Sequence, residues 1–252
     1  MHHLTQRHML IFSLLTAVLL VTGSGQAQDQ TQDQAKTKPG NRAGFFVGVN
    51  FASQGGDMEM MGEILASELE LEIGGIWSSS KGTIPGLGLG GFYTVQTSPT
   101  FGVQIEGQYI RRGGKIDLTG RNVPGGLVSV TLETEFQLDY LEFPILARFS
   151  PSPEAKFRLL FLAGPVIGFK TGANLEISTM GQSESESISE GYASVTVGLL
   201  GGFGFSAQVG QTSFLTIQAR YYRGLTNPLD DDILEAKSGD FGLFAGMEFL
   251  LN

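Results

Sequence analysis

Charged side chains recur inside apolar runs of this sequence. The run LDYLEFPILARFS, residues 138–150, carries Glu142 and Arg148 among Leu, Ile and Phe, and other runs carry Glu106 and Glu248. Two carboxylates that lie close together can serve as a general acid and a general base. These glutamates are therefore candidates for such a carboxylate pair.

The histidines and cysteines narrow that chemistry. All three histidines, His2, His3 and His8, lie in the first eight residues, and the chain contains no cysteine. Histidine bases and metal sites built on imidazole or thiolate are therefore unavailable once the N-terminal segment is removed. We expect a protein that is not an enzyme and that holds no metal or other cofactor, with a carboxylate pair as the remaining route to catalysis.

A structural network of charges is the favoured interpretation of these residues. Acids and bases packed inside a narrow protein interior are stable when each charge has a partner. The predicted network consists of Glu106, Glu142, Arg148, Arg158, Arg220 and Glu248. In it, Glu106 or Glu142 is expected to contact Arg220, Arg148 or Arg158.

Eight segments with period-two alternation are predicted to position these residues. They are 44–52, 86–95, 101–110, 139–149, 157–170, 192–209, 214–222 and 241–251. Alternation of this kind places apolar and polar side chains on opposite faces of a strand. In 101–110, for example, Val103 and Ile105 share one face, and Gln104 and Glu106 share the other. The charges thus lie opposite the apolar rows.

The links between these segments alternate in length. They are short after the second, fourth and sixth segments and long after the others. Outer-membrane barrels join short periplasmic turns with longer extracellular loops. The sequence predicts an all-β fold, an eight-stranded antiparallel up-and-down transmembrane β-barrel with long extracellular loops. Both termini are then periplasmic and the apolar rows face outer-membrane lipid.

A soluble eight-stranded ligand carrier of the lipocalin kind is the alternative fold. Such a carrier keeps apolar residues inside, around its ligand, and polar residues outside. Here that arrangement leaves rows of Phe, Leu, Ile and Val in water, so we favour the barrel in lipid.

The N-terminus indicates export. Arg7 precedes the apolar run 9–21, and small residues, Gly25 and Ala27, follow it. We predict a signal peptide over 1–27, a flexible periplasmic tail over 28–42 and an outer-membrane β-barrel over 43–252. The formal net charge of −9 argues against nucleic acid as a partner.

Four stretches of the chain carry a family resemblance. They are VQIEGQYIRRGGK (103–115), LDYLEFPILARFS (138–150), FLAGPVIGF (161–169) and LTIQARYYRGLTN (215–227). In these stretches the chain resembles the PorT-like outer-membrane β-barrel proteins of Bacteroidetes, over nearly all of its mature length. The resemblance implies the barrel fold and an outer-membrane location, and some members of that family belong to a secretion and gliding-motility apparatus.

The long links suggest where partners bind. ELELEI (68–73) and LVSVTLETEF (127–136) alternate with period two and predict strands that protrude above the membrane, whereas DMEMMGEILA (57–66) predicts a short helix. The acidic runs 183–190 and 229–235 could hold a divalent cation through oxygen ligands, although solvated surface is the favoured interpretation.

Three functions remain open at this point. A structural or protein-interaction role, as a subunit of a secretion or surface complex, is favoured, with a protein partner bound through extracellular loops or protruding strands. A small transporter or channel for ions or small solutes is the alternative, and an enzyme is the third.

One local irregularity of the sheet is also predicted. Pro144 should lie near Gly164 and Pro165 and interrupt the hydrogen-bond ladder there.

Overall fold

The computed structural model describes residues 40–56, 58–124, 127–179, 182–188, 192–227 and 236–251. It contains ten strands and one helix: β1 (Arg42–Gly56), α1 (Met58–Glu72), β2 (Ile76–Gly82), β3 (Ile84–Gln96), β4 (Phe101–Val123), β5 (Leu127–Phe149), β6 (Phe157–Thr179), β7 (Gln182–Ser187), β8 (Val195–Gln208), β9 (Ser213–Gly224) and β10 (Ala236–Leu250). The predicted signal peptide, nearly all of the predicted tail and the acidic run 229–235 lie outside the described residues.

All strand pairings are antiparallel. The order β4-β3-β1-β10-β9-β8-β6-β5 is completed by a pairing of β4 with β5, so each of these eight strands has two neighbours. Two short strands add to this order, because β2 pairs with β4 and β7 pairs with β6. The prediction of an all-β antiparallel up-and-down sheet is confirmed. β2 and β7 were missed because both lie inside links that the sequence interpretation treated as loops.

Side chains alternate between a buried interior and an exposed exterior along the strands. On β5, Glu142 and Arg148 are buried, whereas Phe143, Ile145 and Phe149 are exposed. The same pattern places large exposed apolar side chains on the outside of the other seven strands of the closed order, among them Phe45, Leu89, Ile105, Phe161, Phe203, Ile217 and Leu243. The interior therefore holds the polar and charged side chains of these strands together with buried apolar ones, and the exterior is apolar.

Three strands extend well beyond this apolar exterior. β4, β5 and β6 have 23 residues each. On the outward face of β5, the apolar series 141–149 is followed by Asp139, Gln137 and Glu135, which continue the same face in polar form. Together with β2 and β7, the extended parts form a five-stranded sheet, in the order β2-β4-β5-β6-β7. We call it the protruding sheet.

Helix α1 packs on one side of the protruding sheet. Met61, Leu65 and Leu69, spaced four residues apart, are partly buried against the same apolar cluster as Trp77 of β2. The helix ends where Gly74 adopts a positive φ of 80° and its N–H donates to the carbonyl oxygen of Glu70, a common C-terminal cap. No described helix is long and apolar enough to cross a membrane.

The helix corrects one prediction and confirms another. ELELEI was predicted as a strand, but residues 68–72 belong to α1. Leu69 and Leu71 fit a period of two, but Leu69 also continues the helical face of Met61 and Leu65, and Leu and Glu favour helices. The helix predicted within 57–66 is present and is longer than expected, and the strand predicted over 127–136 is part of β5.

The ladder between β5 and β6 is interrupted near Pro144. Pairing runs as far as Pro144 opposite Val166 and resumes at Ala147 opposite Ala163, which leaves 145–146 unpaired with this neighbour. A Cβ on Gly164 would lie 2.0 Å from the carbonyl oxygen of Ile145. The predicted irregularity is present, and Pro144 itself pairs with Val166 rather than with Gly164 or Pro165.

Candidate functional site

Eight charged side chains fill much of the interior between the strands. Each is at most 4% exposed: Glu106, Arg112, Glu142, Arg148, Arg158, Arg220, Asp240 and Glu248. All six residues of the predicted network are among them. Arg112 and Asp240 were missed because the predicted third segment stopped at residue 110 and the eighth began at 241. A longer reading of the alternation in RRGGKIDL would have found Arg112.

The middle of the interior holds one acid paired with one base. Arg220 donates from Nη1 to Glu106 Oε2 at 2.7 Å and from Nη2 to Glu106 Oε1 at 3.0 Å. Such a two-bonded arrangement is the strongest form of this ion pair. Gln218 accepts two further bonds from Arg220, and Gln104 donates to Glu106 at 2.5 Å. The expected contact between Glu106 and Arg220 is therefore present.

Toward the protruding sheet, two acids share one base. Arg112 lies 3.0 Å from Glu142 Oε2 and 2.8 Å from Asp240 Oδ2. Its guanidinium lies over the ring of Tyr222, 3.3 Å from the centroid, and Gln108 donates to Glu142 at 2.8 Å. Glu142 thus pairs with a residue outside the predicted network.

At the opposite end, three bases surround one acid. Glu248 is fully buried and lies 2.6 Å from Arg42, 2.5 Å from Arg148 and 3.7 Å from Arg158. Arg148 also donates to Gln104 at 3.0 Å. Arg148 and Arg158 were predicted as alternatives to Arg220 for the contact with Glu106 or Glu142, and the structure places both beside Glu248.

The chemistry open to this interior is limited by its packing. Two cavities among the described residues have volumes of about 20 Å³ and about 10 Å³, enough for about one water molecule each. The carboxylates are held by arginines, so none is poised as a free general base. No group of three or more potential metal ligands occurs in the described part of the chain.

The outward face of the protruding sheet carries a second, solvated set of charges. Lys115 lies 3.1 Å from both Asp117 and Glu133. Burial alone would lower the pKa of Lys115, but the hydrogen bonds to Glu133 and Asp117 hold that pKa above its ordinary value. Arg111 pairs with Asp139 at 2.8 Å beside the last outward apolar residues. These partly exposed ion pairs indicate that this face of the protruding sheet is solvated.

Comparison with solved structures finds several outer-membrane proteins at low sequence identity. The outer membrane protein OprG from Pseudomonas aeruginosa is 13% identical, with 85% of this chain and 97% of that chain covered and a TM-score of 0.44. Neisserial surface protein A is 12% identical, covering 83% and 97%, with a TM-score of 0.42. The attachment invasion locus protein Ail of Yersinia pestis is 16% identical, covering 83% and 99%, with a TM-score of 0.38.

Sequence comparison with curated proteins yields no match. A family model described as "Outer membrane protein beta-barrel domain" matches residues 26–230. The match covers β1 to β9 and stops before β10. It includes six of the eight buried charges, all except Asp240 and Glu248.

Proposed function

The chain belongs to the outer membrane protein beta-barrel domain family, and from this premise we propose that it is a non-enzymatic barrel with a filled interior. In this proposal the barrel anchors the protruding sheet at the membrane surface, where the sheet serves a structural or protein-interaction role. The family places the protein in the outer membrane. The eight strands of the closed order form the transmembrane part.

The apolar exterior supports the position of the membrane. On β5 the outward apolar side chains run from Leu141 to Phe149, a length close to the roughly 9–11 residues with which a tilted strand crosses a bilayer. The polar outward face begins at Asp139. The short links, 97–100, 150–156 and 209–212, lie at the end where β1 begins and β10 ends. We therefore assign this end, with both termini, to the periplasm.

The filled interior is the observation that carries the non-conducting role. Arg220 bonds to Glu106 across the middle and to Gln218 on its own strand, and two cavities of the described interior have volumes of only about 20 Å³ and about 10 Å³. An eight-stranded barrel is just wide enough for side chains to fill. The carboxylates held by arginine likewise support a role without catalysis.

Planar bilayer recording tests this proposal. The purified mature protein, inserted in a bilayer under an applied potential, should produce no discrete conductance steps. An open channel would give steps under the same conditions. Reproducible steps that disappear when Arg220 is changed would contradict the filled interior and support the alternative, a small channel for ions or solutes, which the charged lining of the interior favours.

The protruding sheet is the proposed site of protein interaction. Its outer strands, β2 and β7, each pair with a single neighbour among the described strands, and an open strand edge can accept a strand from another chain. Ser80 on β2 and Ser185 on β7 are exposed. Membership of a secretion or surface complex, as in some PorT-like proteins, is the finer form of this proposal and is supported by the four stretches that resemble that family.

Site-specific photocross-linking tests whether a protein partner binds at the edges of β2 and β7. A photoreactive residue at Ser80 or Ser185 should yield a discrete protein adduct in native membranes. The matched control is the same residue at Ile145, which is exposed on the outward apolar face of β5 and should yield lipid adducts only. Absence of a protein adduct at both serines would contradict a partner at these edges.

A further inference from the structure

The charges of the interior are distributed unevenly along it. Near the protruding sheet, Arg112 faces two acids, Glu142 and Asp240. In the middle one acid and one base pair, whereas at the end with the short links three arginines surround Glu248 alone. The described interior therefore has an excess of positive charge at its short-link end.

We propose that the arginines at this end, Arg42, Arg148 and Arg158, form with Ser150 a binding site for a small monatomic anion of the halide class. An anion here would offset the positive charge that Glu248 leaves uncompensated. Uncompensated charge inside a protein is unfavourable unless it gains a partner. Glu106, the next acid of the interior, is already engaged by Arg220 through two bonds.

Unpartnered polar atoms identify the position of the site. Arg158 is 3% exposed, yet its Nε and Nη2 atoms have no hydrogen-bond partner, and Nη2 approaches Glu248 only to 3.7 Å. The buried hydroxyl of Ser150 also lacks a partner. Both residues line one cavity. Buried donors without partners are rare in folded proteins, and each calls for an explanation.

The ring of Phe214 packs against two of these arginines. Arg158 lies over this ring at 3.8 Å from the centroid, and Arg42 lies over it at 5.3 Å. The ring holds the two guanidinium groups in place without neutralising their charge. The cluster is therefore preorganised for an anion and does not need to assemble around it.

The size of the cavity selects the class of anion. Its volume is about 10 Å³, which is room for about one water-sized particle. A monatomic anion such as chloride suits this space, whereas phosphate or sulfate requires the surrounding side chains to separate. Gln96, Pro99 and Thr100 of a short link also line the cavity, so the anion enters from the end that carries the short links.

Chloride-dependent unfolding tests the proposal on the full mature protein refolded in detergent. Chloride is exchanged for gluconate at constant ionic strength, because gluconate is too large for the cavity. A ligand that binds the folded state raises stability with its concentration, so the unfolding midpoint should rise with chloride and then level off. A midpoint that does not depend on chloride would overturn the site.

Two variants separate this site from general salt effects. Arg158→Met should abolish the response to chloride. Arg111→Met, which removes an arginine paired with Asp139 on the protruding sheet, should retain the full response. An unchanged response in Arg158→Met would also overturn the proposal.

If Arg158→Met does not fold, a second measurement tests whether the anion site exists. Crystals of the unaltered protein soaked in bromide should show an anomalous peak within hydrogen-bonding distance of Arg158 and Ser150. A map without a peak at that position, with water there instead, would overturn the site. Neither result bears on conductance or on a protein partner, so the anion site and the proposed function are tested separately.

Discussion

Glu248 is a buried acid with three arginine partners in the described interior. It is fully buried and contacts Arg42, Arg148 and Arg158. A buried acid of this kind is costly to desolvate, but removing it is worse, because its cationic partners remain buried without it. The contribution of each of these charged residues to stability therefore depends on the whole group of charges around it and not on one ion pair.

Glu248→Gln is predicted to lower the free energy of unfolding by about 3–5 kcal/mol, the usual consequence of breaking a buried ion pair. Urea unfolding in lipid vesicles measures this loss. The matched control is Glu133→Gln, because Glu133 is half exposed beside Lys115 and an exposed pair contributes about 0–1 kcal/mol. Equal effects of the two variants would contradict the charge network.

Gly113 occupies a position that a side chain cannot share. Its φ is 146°, and an added Cβ would lie 1.7 Å from the carbonyl oxygen of Phe136. Gly113→Ala is predicted to destabilise the protein by about 1–3 kcal/mol, as expected for strained backbone. Gly201→Ala is the control, since an added Cβ there meets nothing within 4 Å. Unfolding by urea should separate the two variants.

At the scale of elements, β5 passes through two environments along one face. Its outward residues are apolar from Phe149 to Leu141 and polar from Asp139 toward Ser129. Period-two alternation continues across this boundary, so the strand itself does not change. Only the polarity of its outward residues changes, as the proposed boundary between lipid and water requires.

Substitution by arginine at two positions of this face should locate the boundary between lipid and water, because arginine is costly only in lipid. Ile145→Arg, near the middle of the apolar series, is predicted to cost about 2–4 kcal/mol of folding free energy in lipid vesicles. Thr131→Arg lies on the same face of the same strand but in the exposed protruding part, and should change stability by less than about 0.5 kcal/mol. A similar cost at both positions would contradict the proposed membrane boundary.

The whole molecule combines a closed set of pairings with a one-sided extension. The closed order removes open edges from the proposed transmembrane part, while the open edges of the described strands, on β2 and β7, lie in the protruding sheet. Charge follows the same axis, with excess acid near the protruding sheet and excess base at the opposite end. The two ends of the molecule are thus suited to different surroundings.

Orientation in the membrane can be measured directly because the chain has no cysteine. Thr131→Cys, in the protruding sheet, should react with a membrane-impermeant maleimide on intact cells. Ser152→Cys, in the exposed link between β5 and β6, should react only after the outer membrane is permeabilised. The reverse pattern would place both termini outside and contradict the proposed orientation.

Much of the fold was predictable from local pattern. The alternation in 101–110 and 139–149 predicts strands, assigns Glu106, Glu142 and Arg148 to one face, and indicates that this face is the polar interior. The helical residues 68–72 show the limit of local pattern, because ELELE alternates with a period of two while its Leu69 also continues the helical spacing of Met61 and Leu65. Packing of α1 against β2 decided between them.

The pairing of the interior charges was decided by the tertiary structure alone. Sequence alternation determines the face on which a side chain lies, since that depends on the residue's own strand. Which acid meets which base depends on the stagger of strands that are not neighbours. Arg220 and Glu106 are 114 residues apart and lie on β9 and β4, which do not pair. Only closure of the sheet brings such residues to the same height.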